Sequence, residues 1–163
     1  MSSQISSTLA LLVVLGAALI LPVINAHDHP IDYLKPQNAA REEVGIGPLI
    51  WDENLVIYAQ DYLNTLLHDC ELVHSGGPYG ENLAWGSGDL SAMDAVTMWV
   101  DEKQCYDYEA NSCATDQACG HYTQVVWRDS LRVGCAKFTC NTGGTIVGCN
   151  YDPPGNYVGE RPY

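Results

Sequence analysis

The side chains of this sequence suited to chemistry are His68, His74 and His121, the glutamates Glu81 and Glu102, and a pair near the start, His27 and His29. An imidazole titrates near neutrality, so each histidine can serve as a base, a metal ligand or a hydrogen-bonded structural group. His121 opens the apolar run of "GHYTQVVW", and spacing alone leaves all three roles open. His68 closes a helical stretch and reads as a surface group or a partner of the helix C-terminal dipole. Ser75 follows His74 directly, but adjacent residues seldom face one another, so a serine–histidine nucleophile is not expected. The sequence has no H-E-x-x-H and no G-x-S-x-G, which removes the common metalloprotease helix and the hydrolase elbow. Cys105 has no thiol-protease signature around it.

His27 and His29 suggest a different chemistry, conditional on where the mature chain begins. Residues 1–26 hold a long apolar core, carry no charged side chain and end in Ala26, the pattern of a secretory signal peptide cut after Ala26. His27 then becomes the amino terminus and His29 the third residue. The free amine, the amides of Asp28 and His29 and the His29 imidazole can wrap one ion in a plane, which suits Cu(II) or Ni(II).

All charged residues follow residue 26, so the mature chain carries the whole formal charge of −13. Such a field repels nucleic acid and anionic membranes but not an uncharged lipid. No second apolar stretch is long enough to span a bilayer, and a soluble, secreted product is expected. The seven cysteines, Cys70, Cys105, Cys113, Cys119, Cys135, Cys140 and Cys149, read as a disulfide framework of three bridges and one odd thiol. Each bridge is worth about 2–4 kcal/mol. No C-x-x-C occurs, so zinc held by thiolates is not expected.

These residues need elements to position them. A helix is predicted from about Pro36 to Val44, with Pro36 in its first turn and Gly45 and Gly47 closing it. A second begins at the N-cap Asp52, with Leu55, Tyr58, Ala59, Tyr62, Leu63, Leu66 and Leu67 on its inner face. A glycine-rich loop then surrounds a short strand at 82–85. A third helix follows the cap Ser91, with Ala95, Val96 and Trp99 inward. Residues 105–119 read as a cysteine-bearing loop and "GHYTQVVW" as a short helix. "LRVGCAKFTC" and "TIVGCNY" read as strands of a hairpin turned by "NTGG". The tail "DPPGNYVGERPY" is too rich in Pro and Gly for regular structure, and the bond after Asp152 reads as open to a protease. Helices first and paired strands late suggest one α+β domain.

"GHYTQVVWRDS" at 120–130 and "IVGCNYDPPGNY" at 146–157 resemble the two signature motifs of the CAP superfamily of cysteine-rich secretory, antigen 5 and pathogenesis-related proteins. "GENL" at 80–83 resembles a third, and "NAAR" at 38–41 the tail of a fourth. The likeness is strongest to the plant pathogenesis-related group-one proteins. It covers nearly all of residues 27–163, with 153–163 as a releasable C-terminal peptide. It implies a disulfide-stapled three-layer α-β-α sandwich with a central antiparallel sheet. It also implies a cleft where His74, Glu81, Glu102 and His121 face one another, able to share protons or hold a weakly bound divalent ion such as zinc on His74 and His121. By similarity the bridges are Cys70–Cys140, Cys113–Cys119 and Cys135–Cys149, leaving Cys105, where these proteins often have tyrosine, as a free thiol. Gln37 stands where the fourth motif normally has histidine, which removes a titratable group but keeps a hydrogen-bonding one.

The function the resemblance implies is that of a secreted plant defence protein in the apoplast or vacuole, a monomer that acts at microbial surfaces by binding sterols or related neutral lipids. No cofactor is required and no catalytic residue is expected. A precursor that releases a C-terminal signalling peptide and a metal-assisted hydrolase are the alternatives.

Overall fold

The computed structural model describes residues 28–163, so the expected leader, the expected cut after Ala26 and His27 lie outside the described residues. The first helix, α1, spans Pro30–Glu43 rather than beginning at Pro36. Its start is fixed upstream of that proline. The His29 N–H donates to the Asp32 carboxylate at 2.7 Å, and Pro30 fills the first helical position, where a missing N–H costs nothing. Pro36 therefore lies inside the helix and forfeits one backbone hydrogen bond, a penalty of about 3 kcal/mol by itself. Burial on both sides of it wins: Tyr33, Gln37, Ala40 and Arg41 form a buried stripe at spacings of three and four residues.

After β1 (Ile50–Trp51), α2 runs Glu53–Leu66. Its predicted cap is in place, with Asp52 accepting from the Asn54 N–H at 2.8 Å. Leu55, Ala59 and Leu63 are buried, and the other predicted inner residues are half-buried around them. β2 spans Gly80–Gly86, longer at both ends than the sequence suggested. α3 covers Ala92–Asp101, where Ser91 Oγ accepts from the Asp94 N–H at 3.1 Å, and it tightens into a 3-10 turn at Glu102–Cys105. The cysteine-bearing loop contains a small hairpin, β3 (Tyr106–Asp107) and β4 (Ser112–Cys113). Then follow α4 (Gly120–Val125), β5 (Arg132–Thr139) and β6 (Thr145–Asp152).

The main sheet has the order β1-β5-β6-β2. It is antiparallel except at one edge, where the two residues of β1 run parallel to β5. Side-chain alternation divides the sheet between two cores. Val133, Cys135, Val147, Cys149 and Tyr151 pack with α1, α3 and α4. Ala136, Ile146 and Leu83 pack with α2. Gly134 lets α2 approach closely, since a Cβ there would lie 2.3 Å from the Val56 nitrogen. The result is the expected three-layer sandwich. Its staples are Cys70–Cys140, Cys113–Cys119 and Cys135–Cys149, with Cys105 free. The tail after Asp152 has no regular structure. It is nevertheless tied down, for example by the Arg128 N–H donating to Pro162 O at 2.7 Å.

A cleft at the edge strand

β2 is an edge strand, and consecutive residues on it point to opposite faces of the sheet. Glu81 turns toward the α2 side. Its Oε1 is 2.8 Å from His74 Nδ1 and accepts the Ser75 N–H at 2.9 Å, while its Oε2 accepts from Asn150 Nδ2 at 3.3 Å. Asn82 turns the other way and donates to the His121 carbonyl at 3.0 Å. On that face Glu102 stands at the end of α3. Its Oε1 is 2.6 Å from His121 Nδ1, and its Oε2 accepts the N–H groups of His121 and Tyr122 at 2.9 and 3.4 Å. Trp99 stacks on the His121 ring, with centroids 6.3 Å apart and planes at 25°.

The four residues thus form two pairs, His74–Glu81 and His121–Glu102, that meet at the edge of the sheet. His74, Glu81 and His121 line one pocket of about 230 Å³ together with Asn82, Ala118, Gly120 and Asn156. Glu102 lies behind His121. In each pair the carboxylate engages Nδ1, so Nε2 is the ring nitrogen left for a ligand. That is the arrangement in which a carboxylate, hydrogen-bonded to one ring nitrogen, orients an imidazole whose other nitrogen can bind a metal or share a proton. Among the described residues no three His, Cys, Asp or Glu side chains lie close enough together to hold a metal ion by themselves. The His74 side chain is 59% exposed and that of His121 31%.

The other candidates lie elsewhere. His68 is exposed beside Asp69, 3.5 Å away. Ser75 Oγ accepts from the Gly77 N–H at 3.2 Å and from Tyr58 OH at 3.4 Å. The Cys105 thiol faces Gln117 at 3.9 Å. His29 caps α1, and its amide is engaged by Asp32.

Three supporting residues were not assigned a role from the sequence. Gln37 is fully buried; it donates to Tyr33 O at 3.2 Å and accepts from Tyr151 OH at 2.8 Å. Tyr151 OH in turn accepts from Asn82 Nδ2 at 3.2 Å, so α1 is wired to the strand that carries the cleft. Burial raises the Tyr151 phenol above the ordinary range, and it stays a neutral hydrogen-bonding group. Arg41 is buried without a carboxylate among its hydrogen-bond partners. It donates to the carbonyls of Gly47, Val125, Trp127, Arg128 and Ser130, and burial lowers it to about 10. The sequence signal for Gln37 and Arg41 was the "QNAAR" stretch, two polar side chains four apart on a helix.

The family model of the cysteine-rich secretory protein (CAP) family matches residues 34–151. "Pathogenesis-related protein 1" of Arabidopsis thaliana is 60% identical over 158 residues, covering 97% of this chain and 96% of the relative. "Pathogenesis-related protein 1A" of Nicotiana tabacum is 56% identical over 162 residues, 99% of this chain and 96% of the relative. Among solved structures, "NaASP2 with Zn2+" superposes with a TM-score of 0.64 at 22% identity, over 81% of this chain and 83% of that one. That likeness concerns the fold.

Proposed function

Because the chain belongs to the cysteine-rich secretory protein (CAP) family, we propose that it is a secreted plant defence protein that works by binding a neutral lipid, with sterols as the lipid class. The names of its relatives support the defence role. The observation that carries the lipid role is a groove of about 720 Å³ along the outer stripe of α1, lined by the apolar Ile31, Leu34, Ala39, Ile46 and Pro48 and by the polar Lys35, Asn38 and Glu42. Ile31 is 59% exposed there. Such a volume falls in the range of small-ligand sites, about 300–1,000 Å³. The charged lining residues are one cation and one anion, which suits an uncharged occupant. The net charge of −13 disfavours nucleic acid and anionic membranes as alternatives. We take the protein to act as a monomer at microbial surfaces, in the apoplast or vacuole. The test is titration with a fluorescent sterol. Saturable binding is expected, weakened about tenfold, or about 1.4 kcal/mol, in Ile31→Asp and unchanged in His121→Ala. Absence of saturable binding, or indifference to Ile31→Asp, would refute it.

A second role is supported by the two free Nε2 positions that border one pocket and by the zinc named for a relative of the same fold. It is weak binding of a divalent ion by His74 and His121. Calorimetric zinc titration of the wild type and of a His74→Ala, His121→Ala double variant tests it, and identical heats would remove the site. Neither role asks for bond-breaking chemistry, and none is proposed. Release of residues 153–163 after Asp152 would first have to detach a segment that is hydrogen-bonded along its length.

A further inference from the structure

The tail is a strap held mainly by two platforms, with the buried Pro162 also accepting the Arg128 N–H between α4 and β5. Its first half lies on α4. Asn156 Nδ2 donates to Gly120 O at 2.8 Å, Thr123 Oγ1 donates to Asn156 Oδ1 at 2.7 Å, and the Gly155 N–H donates to Gln124 Oε1 at 3.1 Å. Its second half lies on the β3–β4 hairpin. Asn111 Nδ2 donates to Glu160 O at 3.1 Å. The Arg161 guanidinium donates to Tyr108 O and Glu109 O at 3.1 and 2.8 Å. Tyr108 OH donates to Tyr163 O at 2.7 Å, and the two rings stack with centroids 4.8 Å apart.

The hairpin is a weak platform. Its strands have two residues each and pair only with each other among the described residues, and a lone two-stranded hairpin is marginal in water. The end of β4 is tied to the start of α4 by Cys113–Cys119, so this bridge joins the two platforms. It spans a gap rather than a packed seam, because a cavity of about 270 Å³ lies between Cys113, Cys119, Gly120, Asn156 and Gly159. It is also the bridge open to solvent. Cys113 is exposed, whereas Cys119 and the four cysteines of the other bridges are at most 4% exposed.

We propose that Cys113–Cys119 is a reductant-sensitive latch. Reduced by a dithiol, it leaves the hairpin held to α4 by side-chain packing such as Tyr106 against Tyr122, with ring centroids 6.1 Å apart, and residues 160–163 loosen with the hairpin while the sheet, α2 and the other two bridges stay intact. The step is a two-electron exchange. A thiolate of the dithiol attacks Cys113 Sγ, Cys119 leaves as a thiolate and takes a proton, and the second thiol of the reductant closes its own disulfide and releases Cys113 as a thiol. The latch is independent of whether the α1 groove binds lipid.

The test uses the mature protein with Cys105 alkylated first, so that it cannot reshuffle. Dithiothreitol is added in steps, new thiols are trapped with a second alkylating label and mapped by mass spectrometry, and amide exchange is followed at Arg128, whose N–H donates to Pro162 O at 2.7 Å. Cys113 and Cys119 should be labelled about tenfold or more sooner than the other four, and Arg128 exchange should quicken about tenfold or more while β5 and β6 are unchanged. A Cys113→Ser, Cys119→Ser variant should show the fast exchange without reductant; chemical reduction of the wild type decides the matter if that variant fails to fold. Reduction of all three bridges together, prior loss of Cys70–Cys140, or selective reduction that leaves Arg128 protected would overturn the proposal.

Discussion

Replacing Arg41 by methionine keeps a long apolar stem and removes all the N–H donors of the guanidinium. In the folded protein this side chain is 1% exposed. It donates to the carbonyls of Gly47, Val125, Trp127 and Ser130 at 2.7 to 3.0 Å, with Arg128 O farther off at 3.4 Å. Those acceptors lie in the turn after α1 and in the segment that carries α4 into β5, so one side chain fastens three parts of the fold. A buried acceptor left alone costs about 1–3 kcal/mol, and a carbonyl keeps a second lone pair with which to find another partner. The expected loss for Arg41→Met is therefore less than the simple sum over the stranded carbonyls, about 3–5 kcal/mol. Arg41→Lys should lose about half of that, because an ammonium keeps three donors but cannot reproduce the fork. Guanidinium-chloride unfolding with the disulfides intact, followed by tryptophan fluorescence, measures both. A loss under about 1 kcal/mol for Arg41→Met would mean that packing of the stem suffices, and the reasoning would fail.

Alkaline pH should destabilise the protein. Burial raises the phenols of Tyr33, Tyr122 and Tyr151, so above about pH 10 the unfolded chain loses phenolic protons that the folded one keeps, and stability falls with rising pH. Arg41, lowered to about 10, acts with the opposite sign but is one group against three; a denaturation midpoint that rises between about pH 9 and 11 would contradict this. Gly134→Ala should cost about 1–3 kcal/mol or more, since its Cβ would meet α2 backbone at 2.3 Å, while Gly88→Ala, with nothing within 4 Å, should be near neutral in the same melts. Gln37→His should fold at about pH 8, where a neutral ring can accept from Tyr151 and donate to Tyr33, and should lose stability as pH falls below about 6.5, because burial disfavours the imidazolium; an unchanged pH profile would speak against the buried network. If His27 is the mature amino terminus, one equivalent of Cu(II) should bind there at the expense of the first turn of α1, because the His29 amide must leave Asp32. A copper band unaffected by His29→Ala, or a different terminus, would dispose of that site.

What could be read from the sequence was what local chemistry decides. Asp52 and Ser91 cap their helices through contacts two or three residues away, and the inward residues of α2 and α3 follow from periodicity. The start of α1 could not be read in this way. Proline is a helix-starting signal at Pro36, and only the buried stripe of Tyr33, Gln37, Ala40 and Arg41, a tertiary fact, explains why the helix runs through it. The β3–β4 pair was missed because two-residue strands carry no alternation to detect. For the cleft, spacing left His121 ambiguous. Glu102 lies 19 residues before it, and the motif resemblance, not periodicity, joined the two. The role of Arg41 was hidden for the same reason, since four of its partner carbonyls lie 84 to 89 residues away.

The two His–Glu pairs look alike as residue types, but their surroundings give them different work. Glu102 accepts from the N–H groups of His121 and Tyr122, donors in the first turn of α4 that the short helix cannot satisfy itself. This carboxylate therefore fixes where α4 begins, whether or not its histidine ring is used. The His121 carbonyl is held separately by Asn82. Loss of the ring in His121→Ala thus leaves α4 anchored, whereas loss of the charge in Glu102→Gln weakens the anchor itself. Glu81 has the same number of donors, but they come from His74, Ser75 and Asn150, none of them in a helix. His74 is the more exposed of the two rings and rides on the glycine-rich loop. The cleft is therefore a fixed imidazole facing a more accessible one across the edge of a sheet, each oriented by a carboxylate whose remaining oxygen is taken up by the protein. A polar group entering the pocket would meet the two rings and Glu81, which line it, while Glu102 would act on it through the His121 ring it holds.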